Sequence, residues 1–435
     1  MSNKKILIVS YYWPPAGGPG VQRWLKFAKY LPEFGWNPII YTPENPSYPI
    51  VDESLADEVS ESVTVIQQPI WEPYQWAEIF NKKNKKFKGG QFETQSKQNW
   101  KSKISVWIRG NFFIPDARKF WVRPSVKFLK KYLETHTVDV LVTTGPPHSM
   151  HLIGLQLKKE FPHLFWVADF RDPWTKISYY QHLMLTPWAD AKHKQLEKKV
   201  FQTANITLAT SPSDAENFKN EGANAFCITN GFDTHEKGIA QIQHTAFSVS
   251  YVGVLEQLRN PSALWEAIGE LCSENEDFKN HFQLQFAGRV DEEILKEIYQ
   301  QIPKDKVHLL GYISHHDSFT VMLSSVVLVI TNFPKSASKG IIPGKLFEYL
   351  STGNKIVSIG PEAADVEGIL MKTKAGKHFT YSQKNEMKSY LLDAFNAFIQ
   401  KENLKPQLSE EVMYYSRKNL TAQLVNLLHE ALTTR

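Results

Sequence analysis

Short runs of consecutive apolar, β-branched residues recur along this 435-residue chain, alternating with longer stretches where apolar residues return every three or four positions. The first pattern suits strands buried on both faces, and the second suits amphipathic helices. In the first half, Ile6–Ser10, Pro38–Tyr41, Val63–Ile66, Val138–Thr143, Phe165–Ala168, Ile206–Ala209 and Ala225–Ile228 are predicted strands, with helical patterns such as Val21–Phe34, Ser149–Phe161 and Asp190–Phe201 between them. The series then restarts. Ser248–Val252, Gln283–Phe286, Val307–Leu309, Val326–Ile330 and Lys355–Ile359 read as strands, separated by helices at Pro261–Cys272, Glu292–Gln300, His315–Leu323 and Pro343–Thr352. Alternation of this kind predicts βαβ units on parallel sheets. The polar stretch 230–245 divides the two series. The expectation is an α/β protein with Rossmann-like domains at 1–236 and 246–405, and a helical segment at 406–435 that packs back toward the first.

Composition is that of a soluble globular protein, with 42% hydrophobic and 22% charged residues. Cys227 and Cys272 are the two cysteines, and neither has a nearby partner at zinc spacing. No stretch approaches the roughly 20 apolar residues needed to span a bilayer. The apolar run after Lys4 is too short for a secretory signal core. These features predict a cytoplasmic protein, one that can sit peripherally on the inner face of a membrane. Charge is unevenly spread: residues 82–131 hold fifteen Lys or Arg against Glu93 and Asp116, in a chain whose net charge is +5.

In doubly wound sheets, ligands bind beyond the carboxyl ends of strands, so the strand-to-helix loops are where chemistry is expected. The loop Tyr11–Gly20 brings Gly17 and Gly18 to a helix start, where backbone N–H groups can face an anion or simply complete a tight turn. Its spacing does not fit the dinucleotide fingerprint, because Arg23 occupies the third glycine position. Asp169, Arg171 and Asp172 cluster at another strand end, where buried charges must be paired or face a ligand. His148 follows the strand before that one, and it is either a site residue or a helix-start residue. In the second half, Gly253 ends a strand and Arg259 follows six residues later, a cation suited to a diphosphate. Lys345 and Glu348 share a helical face, as a surface pair or as ligands for a nucleotide.

Taken in order, these segments resemble glycosyltransferase family 4. The Gly17-Gly18 loop comes first, then Phe170–Trp174 and Ile228–Asp233. Tyr251-Val252-Gly253 with Arg259 follows, and Lys345–Tyr349 completes the set. The resemblance implies a GT-B fold, two Rossmann-like domains facing a cleft. It also implies transfer of a sugar from a nucleotide-diphosphate donor, with retention at the anomeric carbon. Gly17 and Gly18 would lie beside the diphosphate and the reacting sugar. Arg259 would stand where the family has a phosphate-contacting Lys, and Glu348 would hold the ribose. Arg171 occupies a position where the family often has His; Val254 and Gly340 replace an Arg and the first of two glutamates.

Glycosyl transfer leaves negative charge on the departing nucleoside diphosphate. No Asp-x-Asp pair is placed for a metal, so no cofactor is expected, and Arg171, Asp172 and Arg259 are the catalytic candidates. Gly17, Gly18, Gly253, Lys345 and Glu348 are the donor-binding candidates, with His148 and Asp169 as further site residues. The expected partners are a UDP- or GDP-linked sugar and a glycan or lipid-linked acceptor in cell-surface polysaccharide synthesis. An anionic membrane surface is expected too, because Lys82, Lys83, Lys85, Lys86 and Lys88 precede Trp100, Trp107, Phe112, Phe113, Phe120 and Trp121. Nucleic acid is not an expected partner. A nucleotide-sugar epimerase of the same fold and a non-catalytic sugar-nucleotide or membrane-binding protein remain as alternatives.

Overall fold

The computed structural model describes residues 3–73, 100–177, 180–234, 244–400 and 408–434. The five lysines from Lys82 to Lys88 lie outside the described residues. The chain divides into two compact units, one of residues 1–229 with 421–435 and the other of residues 230–420.

The first unit is built on seven parallel strands: β1 (Lys4–Val9), β2 (Trp36–Pro43), β3 (Thr64–Gln68), β4 (Val140–Gly145), β5 (Phe165–Phe170), β6 (Ile206–Ala209) and β7 (Ala225–Cys227). Their spatial order is β3-β2-β1-β4-β5-β6-β7. β4, β5 and β6 are buried at every position, as consecutive apolar runs require when helices cover both faces. The helices are α1 (Pro19–Tyr30), α2 (Trp100–Phe112), α3 (Lys119–Thr135), α4 (Ser149–Glu160), α5 (Pro187–Thr203) and α6 (Pro212–Asn220). Local chemistry sets their starts. Gly18, at φ +90°, precedes Pro19 at the head of α1, while Thr186 and Ser211 cap α5 and α6 by accepting from Ala189 and Asp214 amides.

The second unit has six parallel strands, β8 (Phe247–Val252), β9 (Phe282–Ala287), β10 (Val307–Gly311), β11 (Val327–Thr331), β12 (Lys355–Ile359) and β13 (Gly376–Phe379), in the order β10-β9-β8-β11-β12-β13. Its helices are α7 (Ser262–Glu274), α8 (Glu276–His281), α9 (Glu292–Gln301), α10 (His315–Ser324), α11 (Lys345–Thr352), α12 (Asp365–Thr373), α13 (Lys384–Ile399) and α14 (Glu410–Met413). The last helix, α15 (Arg417–Thr433), belongs to this unit up to Leu420 and to the first unit from Thr421, where His429 stacks on Trp36 at 5.7 Å.

Two features differ from the sequence expectation. β13, at the edge of its sheet, has one buried residue, Phe379, and lacks the apolar run that marks the inner strands. Within the basic segment, residues 100–131 contain most of two helices, and Trp121 is buried in the first unit's core, stacked on Tyr41 at 5.0 Å. Trp121 is therefore a packing residue and not part of a membrane-facing set. Its position on α3 beside the buried Val122, Ser125 and Leu129 explains why.

Candidate functional site

Both sheets reverse direction next to their first strand. From β1 the chain winds outward to β2 and β3, then returns across the sheet to β4, so the loops after β1 and β4 diverge and leave a crevice at the carboxyl edge. β8 and β11 form the same switch point in the second unit. The candidate residues fall near these two edges, on loops or, for Asp169, Lys345 and Glu348, at the end of β5 and in the first turn of α11.

In the first unit, Arg171 spans the crevice. Its guanidinium donates to the carbonyls of Gly20, in the first turn of α1, and Pro146, just after β4, and sits over the Tyr12 ring at 5.7 Å. The close approach needs Gly20: a Cβ there would lie 2.6 Å from Arg171 Nη1. The Arg171 amide donates to Gly145 at 2.9 Å, and its carbonyl accepts from Thr210 Oγ1 at 2.8 Å. Beyond it, Glu197 of α5 accepts from the Trp174 and Thr175 amides and from Thr175 Oγ1. Burial raises the pKa of that carboxyl. Asp172 is exposed and forms no hydrogen bond or ion pair among the described residues. The Gly17 N–H donates to the Ile50 carbonyl at 2.9 Å. That bond ties the loop to the segment that follows β2.

Asp169 has a different partner from the one its neighbours suggest. Oδ1 takes Arg23 Nη2 at 2.9 Å and Nε at 3.1 Å, while Oδ2 takes Trp24 Nε1 at 2.7 Å and Thr144 Oγ1 at 2.9 Å. Arg23 Nη1 donates to the Thr229 carbonyl at 3.0 Å. Asp169 has no solvent exposure and Arg23 almost none, so this is an internal brace between α1 and the end of β5. In the sequence, Arg23 stands out only as a misfit in a glycine pattern. Its signal is a charged residue beside Trp24 and Leu25 in a short amphipathic helix.

His148 lies at the head of α4, stacked on Trp174 at 5.1 Å, with both ring nitrogens buried and without hydrogen-bond partners among the described residues. His151 stacks on Phe170 at 4.3 Å and meets Thr143 Oγ1 through Nδ1 at 2.9 Å. Burial, with His151, Arg171 and His193 nearby, holds the His148 pKa well below the usual histidine value. Burial also lowers His151 to about 3. Asp116, from the basic segment, accepts from the Ser149 amide and hydroxyl at 2.9 and 2.7 Å and so fixes the start of α4.

In the second unit, Gly253 (φ +131°) follows β8 and donates its N–H to Ala287 at 2.7 Å. A Cβ on Gly253 would lie 3.0 Å from Lys345 Cε, so the Lys345 stem runs directly over the glycine. Tyr349 holds α11 in this place, its hydroxyl taking the Val252 amide at 3.1 Å. Arg259 donates to the Val254 carbonyl at 3.0 Å, stands 3.5 Å from Glu256, and lies over Phe333 of the loop after β11 at 5.4 Å. Glu348 is in the first turn of α11, 3.7 Å from His315 Nε2 at the start of α10. Burial raises its pKa, but His315, Lys345 and Arg417 together outweigh that and hold the carboxyl below the usual glutamate value. The structure thus groups Gly253 with Lys345 and Glu348, and it adds Tyr12, Gly20, His315, Phe333 and Tyr349 to the residues read from sequence. Among the described residues, no group of three or more His, Cys, Asp or Glu side chains is placed to hold a metal ion, and no helix is long and apolar enough to cross a membrane.

No protein-family model and no curated protein matches the chain. Solved structures do match it along its length. The sucrose-phosphate synthase of Thermosynechococcus elongatus superposes with a TM-score of 0.59 at 14% identity, covering 99% of this chain and 100% of that one. Anabaena HepE in complex with UDP-glucose gives 0.55 at 13% identity, with 99% and 100% covered. A UDP-forming α,α-trehalose-phosphate synthase from Burkholderia vietnamiensis gives 0.58 at 9% identity, with 100% and 98% covered. The chain has the GT-B fold. At these identities the likeness concerns the arrangement of sheets and helices, and the chemistry must be argued from the residues.

Proposed function

We propose that this GT-B chain is a glycosyltransferase that moves a sugar from a UDP- or GDP-linked donor to a glycan or lipid-linked acceptor, with retention and as a step of cell-surface polysaccharide synthesis. The observation that carries the reading is the grouping of Gly253, Lys345 and Glu348 at the second unit's switch point. Lys345 brings a cation, and Gly253, having no Cβ, leaves room for its stem to pass over the end of β8. Glu348, held ionised, offers a hydrogen-bond acceptor for ribose hydroxyls. Of the matching structures, HepE is in complex with UDP-glucose and the trehalose-phosphate synthase is UDP-forming, which supports a nucleotide-sugar donor.

As the sugar–phosphate bond breaks, charge builds on the leaving diphosphate and the sugar becomes oxocarbenium-like. Lys345 and Arg259 meet that charge in this reading, and the N-terminus of α11 adds its dipole. A preorganised donor of this kind is worth roughly 2.7–4 kcal/mol of barrier. Arg171 positions the acceptor side by fixing the loops after β1 and β4, and no resident metal is invoked.

A thermal-shift screen of nucleotide sugars on the intact chain tests the reading, since a ligand of the native state raises the melting temperature. One UDP- or GDP-sugar should stabilise the wild type, and that shift should be lost in Glu348→Ala and Lys345→Ala. Product formed from donor alone, without acceptor, would identify an epimerase instead. Binding without hydrolysis or transfer would identify a non-catalytic binder.

A further inference from the structure

Helix α2 turns an apolar face outward. Trp100, Ile104, Trp107, Ile108 and Phe112 recur at spacings of three and four, and all are exposed, from 38% at Trp107 to 64% at Trp100. The C-terminal end of the helix is docked, through the buried Gly110 and Asn111. A Cβ on Gly110 would lie 2.6 Å from the Leu183 carbonyl, and Asn111 donates to Met184 at 3.1 Å while accepting from the Thr186 amide at 2.7 Å. The docking segment continues the exposed apolar surface with Met184 and Trp188.

The charge around this face has one sign. Residues 100–131 contain nine Lys or Arg and a single acidic residue, Asp116, whose carboxylate is engaged by Ser149 and the Arg118 amide. Lys103, Arg109 and Arg123 are exposed. We propose that α2 is a membrane-docking helix: its aromatic face enters the headgroup region of an anionic lipid surface, and the surrounding cations meet the lipid phosphates. A two-fold pair of this chain would set the same cations against themselves. Nucleic acid would engage the cations and leave the apolar face in water.

The proposal stands apart from the transferase reading, and its test reads vesicle binding rather than turnover. The intact chain is floated with phosphatidylcholine vesicles with and without phosphatidylglycerol. Recovery with the anionic vesicles only is expected. Trp107→Ala/Phe112→Ala should keep the wild-type melting temperature and nucleotide-sugar shift yet bind anionic vesicles about tenfold more weakly. Lys103→Glu/Arg109→Glu, which changes two exposed side chains and spares the docked Gly110 and Asn111, should weaken binding and flatten its salt dependence. Equal recovery with both vesicle types, or wild-type binding by both variants, would overturn the proposal. So would self-association abolished by the aromatic variant, or binding to duplex DNA in place of vesicles.

Discussion

Arg23 and Asp169, 146 positions apart in sequence, meet as a buried ion pair with Nη2 2.9 Å from Oδ1. Removing one partner leaves the other charged and unpaired in the interior. Asp169→Ala should therefore cost about 3–5 kcal/mol of stability in denaturant unfolding, while the double variant Arg23→Met/Asp169→Leu should recover much of that loss. Simple additivity of the two sites would show that they are not coupled.

Gly20 and Arg171 form a second pairing, of steric origin. In Gly20→Ala the new methyl meets the mobile end of a side chain, so Arg171 shifts and the fold stays intact. The expected result is an unchanged melting temperature with turnover down roughly 100-fold, the scale of a misplacement of about 1 Å. Initial rates with the donor found by thermal shift check this. Wild-type rates would remove Arg171 from the site.

Trp121 and Trp107 offer a contrast within the same basic segment. Trp121→Ala opens the core beneath Tyr41 and should lose about 3–5 kcal/mol. Trp107→Ala, on the exposed face of α2, should lie within about 0.5 kcal/mol of wild type. Chemical denaturation of both variants separates the two roles.

His148 and His151 are buried in a form that resists protonation, so the unfolded chain binds more protons than the folded one below the ordinary histidine pKa. Stability is accordingly complete above about pH 6.5 and falls as pH drops toward 3, by at most about 1.4 kcal/mol per pH unit for each ring. Urea unfolding of the wild type and of His151→Phe across pH 7.5 to 4.5 should show a shallower loss in the variant. Identical slopes would rule out this linkage for His151.

The amino-acid sequence by itself determined the strand-and-helix alternation, because inner strands covered on both faces must be apolar at consecutive positions. It therefore marked the inner strands, and the edge strands β3, β7 and β10 through their short apolar or β-branched runs; β13, at the remaining edge, interrupts such a run with Lys377 and His378. It also pointed to the loops that carry Arg171, Arg259 and Lys345, since such folds leave their strand ends free for ligands. Only the tertiary structure decided which charges meet. Asp169 is neighboured in sequence by Arg171 but pairs with Arg23, and Arg171 instead clamps Gly20 and Pro146. The aromatics of the basic segment likewise divided between core and surface, with Trp121 inside and Trp107 outside. Local periodicity records that a residue is apolar or charged. Which distant surface it meets depends on the order and twist of the strands that bring that surface into reach, and no short stretch of sequence contains that order.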